Sequence, residues 1–279
     1  MLNMLYVDWN MDPVIFPIGG LEIRYYSLMW VAAILIGAKF FDYVCKKEGL
    51  KQKVSESIFI YGATATILGA RIGHCLFYEP ENYLTRPWAI ITEFRNGGLA
   101  SHGAAIGILI GLWLFSRRNK LPYMWSLDRI MVPTGIGGAL VRLGNLFNSE
   151  IFGTETTLPW GFKFLRSNEW IHNYSPMACH PTQIYEAICY LITFAITCVM
   201  YFKYDHARRR PGAIFGVGLI GIFLSRIIIE SIKNTQVNFE LNMTLNMGQW
   251  LSVPFVLFGI YMVYRAFSKP AIKVAPYKK

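Results

Sequence analysis

The sequence predicts an all-α polytopic membrane protein: seven transmembrane helices, N-terminus outside, C-terminus cytoplasmic, and a small head on the outer side. Three observations carry that prediction. Of the 279 residues, 54% are apolar and only 16% charged, where a soluble domain carries roughly 25% charge. Seven stretches reach the length of about 20 mostly apolar residues that a bilayer crossing needs. Lysine and arginine crowd onto one side of every loop. The same composition excludes intrinsic disorder, a coiled coil and a disulfide scaffold. The net charge of +10 fits loops held at an anionic cytoplasmic leaflet, not a nucleic-acid partner. Five cysteines, Cys45, Cys75, Cys179, Cys189 and Cys198, form an odd set with no CxxC spacing. They point to no disulfide framework and no metal site, and no cofactor is expected.

Taken in order, residues 1–24 lack a basic leader and contain Asp8, Asp12, Pro13 and Pro17, so they read as no secretory signal peptide. They read as an interfacial arm, with Tyr6 and Trp9 at headgroup level. The seven spans fall at about 25–44, 55–78, 97–116, 126–147, 183–203, 211–232 and 246–267, by length and apolarity. Basic residues after the first, third, fifth and seventh spans number seventeen, from Lys46 to Lys279, against six on the opposite side. That bias sets the orientation. It divides the chain into the arm 1–24, a seven-helix catalytic domain 25–267 with an outer insertion near 148–182, and a basic cytoplasmic tail 268–279. No tandem repeat and no inverted symmetry is visible, which counts against a secondary transporter.

Ionisable groups inside spans are costly and therefore candidates for function. Arg71, His74, His102, Arg142, Arg226 and Glu230 are such groups. With the orientation above, Arg71, His102, Arg142 and Arg226 lie at one level, roughly 8–11 Å below the outer surface at 1.5 Å of rise per residue. Three arginines at one level suit an anion, and a phosphate matches their planar fork. Two readings stand for the pair Arg226 and Glu230, four apart on one helix face: mutual neutralisation, or part of the anion site. For Arg71 a structural post and a site role stand side by side, and His74 reads as an interface residue. Gly103, Gly107 and Gly111 recur every four residues, giving a smooth face for close helix packing. The fourth span ends in a polar string of Arg142, Asn145, Asn148, Ser149 and Glu150, which suits a helix end facing a cavity. Pro181 suits the first turn of the fifth span, with Glu186 about one turn inside. Tyr26 opens the first span, where an aromatic belt also places tyrosine.

These strings resemble a known family, the phosphatidylglycerol–prolipoprotein diacylglyceryl transferases of bacterial lipoprotein maturation. The matching pieces are IRYYS (23–27), GARIG (69–73), GGLASHGAAIG (97–107), RLGNLFNSEIFG (142–153), HPTQIYE (180–186), RIIIE (226–230) and MGQWLS (247–252). They keep the family's order from the first span to the last, and the RLGN string is the most specific. The resemblance implies a multi-pass enzyme of the bacterial inner membrane with a periplasmic head and its active site towards the periplasm. It implies transfer of the diacylglyceryl group of phosphatidylglycerol to the lipobox cysteine thiol of a prolipoprotein signal peptide, with release of glycerol phosphate. The family's important positions fall on Tyr26, His102, Arg142, Asn145, Glu150, Gly153 and Arg226. Val141, Ala104, Ile222 and Lys233 depart from the usual pattern, Ile222 replacing a frequent tyrosine and Lys233 a frequent arginine.

Displacement at carbon by a thiol needs two things: loss of a proton from a group of ordinary pKa near 8.5, and stabilisation of charge on the departing phosphate. Arg142 and Arg226 are the candidates for the second and His102 for the first, with Glu150 and Glu230 also titratable. Tyr26, Arg71, Asn145, Glu150, Gly153 and Glu230 are the candidate substrate-binding residues. The nucleophile belongs to the partner peptide, so the chain's own cysteines are expected to be dispensable. The competing function class is an anion or lipid transporter or channel using the same arginines as a ring without chemistry.

Overall fold

The computed structural model describes residues 6–19, 21–77, 80–92, 101–234 and 245–275. Strands β1 (Val7–Trp9), β2 (Val14–Ile18) and β3 (Leu21–Arg24) precede helices α1 (Tyr25–Lys47), α2 (Gln52–Phe77), α3 (Pro80–Thr85), α4 (Ala89–Thr92), α5 (Ser101–Arg118) and α6 (Tyr123–Phe147). Strand β4 (Phe162–Phe164) and helices α7 (Asn168–Asn173), α8 (Thr182–Phe202), α9 (His206–Arg209), α10 (Ala213–Glu230) and α11 (Met247–Phe267) follow. Each of the seven expected spans falls on a helix of 18 residues or more. Five of them, α1, α6, α8, α10 and α11, are long and apolar enough to cross a membrane. In α2 and α5 the charged and polar residues, Arg71 and His74 in one and Arg117 and Arg118 in the other, dilute the apolar run. The fold departs from an all-α expectation in two small sheets, β1 with β4 and β2 with β3.

The chain divides into two compact units, one of Met1–Gly37 with Asp128–Val274 and the other built on Ala38–Leu127. In the first, small residues let helices meet backbone to backbone, as packing without a hydrophobic drive requires. A Cβ on Gly216 of α10 would lie 2.8 Å from the Gly259 carbonyl oxygen of α11, and the reverse holds at the same distance. Gly135 and Gly138 of α6 give the same closeness to Phe194 and Tyr190 of α8. The start of α10 is held from α6: buried Asp128 accepts from the amides of Gly212 (2.7 Å) and Phe215 (2.9 Å). A helix leaves its first amides unsatisfied, and here a buried carboxylate takes two of them. Asp128→Ala is expected to cost about 0.5–2 kcal/mol, the range for a lost helix cap, seen as a lower thermal midpoint in detergent.

The head is assembled from distant pieces. β1 runs parallel to β4 with Val7 opposite Phe162 and Trp9 opposite Phe164. The Trp9 indole donates to the Leu146 carbonyl at 3.0 Å and packs on Phe147 and Phe162. The arm residue expected at headgroup level is therefore docked on the head. Below it Phe152 and Phe164 stack at 4.7 Å, among buried Leu146, Trp170 and Cys179.

In the second unit α2 and α5 pack through glycine. A Cβ on Gly103 would fall 2.2 Å from the Gly69 carbonyl oxygen, and one on Gly107 would fall 2.2 Å from that of Ala65. The smooth face read from the sequence is thus the contact face of α5.

Candidate active site

Glu186 is the centre of the site in the first unit. It lies one turn into α8, and its side chain is wholly buried. A carboxylate so placed is sustainable only among cations. Arg142 Nε of α6 lies 2.6 Å from its Oε2, and Lys233 Nζ donates to its Oε1 at 3.0 Å. Lys233 also reaches Glu230 at 3.2 Å, and Glu230 lies 3.8 Å from Arg226 Nε. The result is a chain of alternating charge, Arg142–Glu186–Lys233–Glu230–Arg226, in which three cations share two anions.

The two ends differ. The Arg142 side chain is 15% exposed and that of Arg226 is 36%, while Lys233 in the middle is 3% exposed. Arg226 Nε, itself buried, donates no hydrogen bond among the described residues. The surplus positive charge is therefore most accessible at Arg226, whose pairing with Glu230 is long, at 3.8 Å. Glu230 is seated against α11, where a Cβ on Gly248 would meet its carboxyl carbon at 2.7 Å. The start of α11 is locked to the same place. Asn246 and Gln249 cap each other's backbone, Asn246 Nδ2 donates to the Glu230 carbonyl, and Gln249 Nε2 donates to the Ile227 carbonyl.

At the Arg142 end the polar string of α6 closes on itself. Arg142 donates to Asn145 Oδ1 at 3.3 Å, and Asn145 Nδ2 donates to Glu150 Oε1 at 2.8 Å. Asn148 reaches the same oxygen at 3.1 Å. The backbone turns back to permit this: Ser149 (φ 55°) and Ile151 (φ 59°) flank Glu150 in the left-handed region. That region costs roughly 1–2 kcal/mol for each non-glycine residue. The turn is fastened to α8, where Gln183 Nε2 donates to the Glu150 carbonyl at 2.7 Å and Thr182 Oγ1 to that of Ile151 at 2.9 Å.

Gly153 has a packing role at this junction. A Cβ there would lie 2.5 Å from the Ile232 carbonyl oxygen and 2.8 Å from the side chains of His180 and Thr182. Its backbone bridges to Lys233, so a bare Cα at 153 sets where the central cation of the chain can stand. The Tyr26 ring packs on α6 at Gly144, with its Cδ2 only 2.7 Å from a Cβ placed there.

Of the residues expected from the sequence, Arg142, Asn145, Glu150, Arg226 and Glu230 are brought into this system. Arg71 belongs to the second unit and acts as a clasp. Its Nε donates to the Ile90 carbonyl at 2.9 Å, and its Nη2 donates to both the Tyr83 hydroxyl and the Ala89 carbonyl. The backbone of His102 lies in α5, and its side chain falls outside the described residues. Sequence reasoning passed over Glu186 and Lys233 as site residues, although an acid one turn inside an apolar helix carries the same warning as an arginine there. The head's own thiol is wholly buried, and burial pushes Cys179 up to about 12, with Glu155 and Glu169 adding to the effect. All five cysteines are free.

A family model described as prolipoprotein diacylglyceryl transferase matches residues 13–265. A protein of Porphyromonas gingivalis named phosphatidylglycerol–prolipoprotein diacylglyceryl transferase is 50% identical over 273 residues, covering 95% of this chain and 96% of that one. Proteins of the same name from Bacteroides fragilis and Chloroherpeton thalassium are 40% and 37% identical, over 97% and 94% of this chain and 99% and 94% of theirs. These likenesses define a class of transferases, and the five helices long and apolar enough to cross a bilayer make this chain a multi-pass membrane member of it. This chain belongs to the prolipoprotein diacylglyceryl transferase family.

Proposed function

We infer that this chain transfers the diacylglyceryl group of phosphatidylglycerol to the lipobox cysteine of a prolipoprotein signal peptide. The observation that carries the mechanism is the odd-membered charge chain, whose surplus cation is most open at Arg226. A lipid phosphate is the complementary anion. Arg226 takes its charge, and Arg142, oriented by Glu186 and Asn145, faces the oxygen that will leave.

The thiol gives its proton to a base, and His102 is the candidate, with Glu150 and Glu230 as the other titratable groups. The thiolate attacks the sn-3 carbon of the diacylglycerol moiety. The S–C bond forms as the C–O bond breaks, and the bonding pair stays on oxygen. Glycerol phosphate leaves, its new charge met by the arginines, and the product is a thioether. Asn145, Glu150 and Tyr26 line the Arg142 side, and Glu230 holds the Arg226 side. No residue of this chain becomes covalently modified in that scheme.

The arrangement is proposed to lie towards the periplasmic face of the bacterial inner membrane, with all seven long helices crossing the bilayer. The N-terminus and the 148–182 head stand outside, and the 268–279 tail stands in the cytoplasm. The 17-to-6 distribution of basic residues supports this orientation,. A cytoplasmic-only reporter fused after Lys279 is expected to be active and one inserted near Thr156 silent. The reverse pattern at both positions would invert the site.

The reaction class is tested with labelled lipid and a lipobox peptide. Phosphatidylglycerol labelled in its phosphate should leave no label on the peptide, while label in the diacylglycerol glycerol is retained. Phosphorus bound stably to the peptide would mean that the arginines serve phosphoryl transfer.

A further inference from the structure

Arg117 and Lys120 stand at the end of α5 opposite to the one that bears His102. Among the described residues neither has an ion pair, and neither side chain donates a hydrogen bond. Together with Trp113, Ser116, Leu121 and Tyr123 they line a cavity of about 210 Å³, and no acid lines it. All of this lies within the second unit.

The cavity has fixed walls. The Tyr123 hydroxyl donates to the Leu109 carbonyl at 2.9 Å, which ties the ring back to α5. Buried Ser116 pairs with buried Ser126, Oγ to Oγ at 2.7 Å. The Arg117 guanidinium lies 5.2 Å from the centre of the Trp113 ring. It is held by an aromatic face and not by the helix-end carbonyls that would otherwise explain a basic last turn. Lys120 stands on strained backbone. The Leu121 amide donates to the Ser116 carbonyl at 3.0 Å to close α5, and Lys120 inside that closure has φ 53°. Glycine is the usual residue there, because a Cβ disfavours the left-handed region. A lysine at a glycine position gives the cavity a charge that the turn itself does not need.

Pockets that enclose a whole small molecule have roughly 300–1,000 Å³, so this one suits a single headgroup. The same helix face continues away from it. Ile106, Ile110, Trp113 and Arg117 are spaced by four, three and four residues and so share a face of α5. The two isoleucines and the tryptophan are exposed. Cations, then an aromatic ring, then aliphatic side chains follow the order of phosphate, glycerol and acyl chain in an anionic lipid.

We propose that this cavity binds a lipid with an anionic phosphate headgroup, drawn from the leaflet on the side away from His102. The phosphate sits between Arg117 and Lys120, and an acyl chain runs along Trp113, Ile110 and Ile106. The site rests on the reading that α5 crosses the bilayer, and on no step of the transfer.

The test titrates the full-length protein in neutral detergent with phosphatidic acid carrying a brominated acyl chain, which quenches a tryptophan that it touches. The Trp113 signal is the difference from Trp113→Phe. Arg117→Gln with Lys120→Gly removes both cations and suits the left-handed backbone. This double variant should need about 25-fold more phosphatidic acid for half-quenching, about fivefold for each cation lost. If it is not recovered, Arg117→Gln alone should show the fivefold shift. Transfer from saturating phosphatidylglycerol should match the parent, which separates this site from the reacting one. Brominated phosphatidylcholine, whose choline offsets its phosphate, should not distinguish parent from variant. Equal phosphatidic acid titrations in parent and variant would overturn the site. Release of the lipid by inorganic phosphate at equal concentration would also overturn it, since the cavity would then be an ion site reached from water. Topology reporters at Asn96 and Asn119 that read the same side would remove the crossing of α5 and the lipid site together.

Discussion

Arg142→Lys should abolish most diacylglyceryl transfer while the protein accumulates in the membrane at its usual level. Lysine keeps the positive charge beside Glu186, so the charge chain retains its three cations and two anions. What it loses is the planar fork: the side that pairs with Glu186 and the side that bonds Asn145 collapse into one ammonium,. Losing one preorganised donor to a developing oxyanion typically costs about 100- to 1,000-fold in kcat. The measurement is single-substrate kinetics normalised to membrane protein, with lipidated peptide as the readout. Near-parental turnover would make Arg142 a counter-ion to Glu186 and nothing more.

The second large effect is on stability. Glu186→Gln removes the anion that both Arg142 and Lys233 depend on, and Glu186 and Lys233 are both almost without solvent contact. Three cations would then share Glu230 alone. Breaking a buried pair by deleting one partner costs about 3–5 kcal/mol, because the other charge is left uncompensated. The variant should unfold at a clearly lower temperature in detergent, with poor recovery from membranes. Glu186→Gln combined with Lys233→Met removes one charge of each sign and should regain part of the loss. If the double variant is no more stable than the single one, Lys233 is held by Glu230 and the head backbone, and Glu186 answers to Arg142 alone.

The seven long helices were legible because apolar runs of bilayer length have few other uses, and each expected stretch landed on one. The glycine face of α5 was legible for a similar reason: a four-residue repeat of missing side chains is a contact surface wherever it occurs. Arg142, Asn145 and Glu150 could be grouped because they lie within nine residues. The middle of the charge chain could not. Glu186 and Lys233 are 47 residues apart, and Lys233 looks from its position like one more basic loop residue. Arg71 shows the opposite failure. Its cost in an apolar helix announces a role, but the carbonyls of Ala89 and Ile90 that occupy it lie on a separate short helix. The head strands were invisible because three-residue segments carry too little alternation to register, and β1 finds its partner more than 150 residues downstream.

That separation gives the pairing of β1 with β4 a meaning in time. Translation at about 5–20 residues per second completes residues 7–9 roughly 8–30 s before residues 162–164 leave the ribosome. Only the hairpin of β2 and β3 is local enough to close at once. Until β4 arrives, Val7, Asp8 and Trp9 have no partner strand, and the Trp9 indole waits for Leu146 as well. The sheet of the head therefore closes only when β4 arrives, on a segment made about 155 residues earlier. A three-residue strand thus ties the head together across the whole length of chain between β1 and β4, and its pairing waits on synthesis, not on local folding.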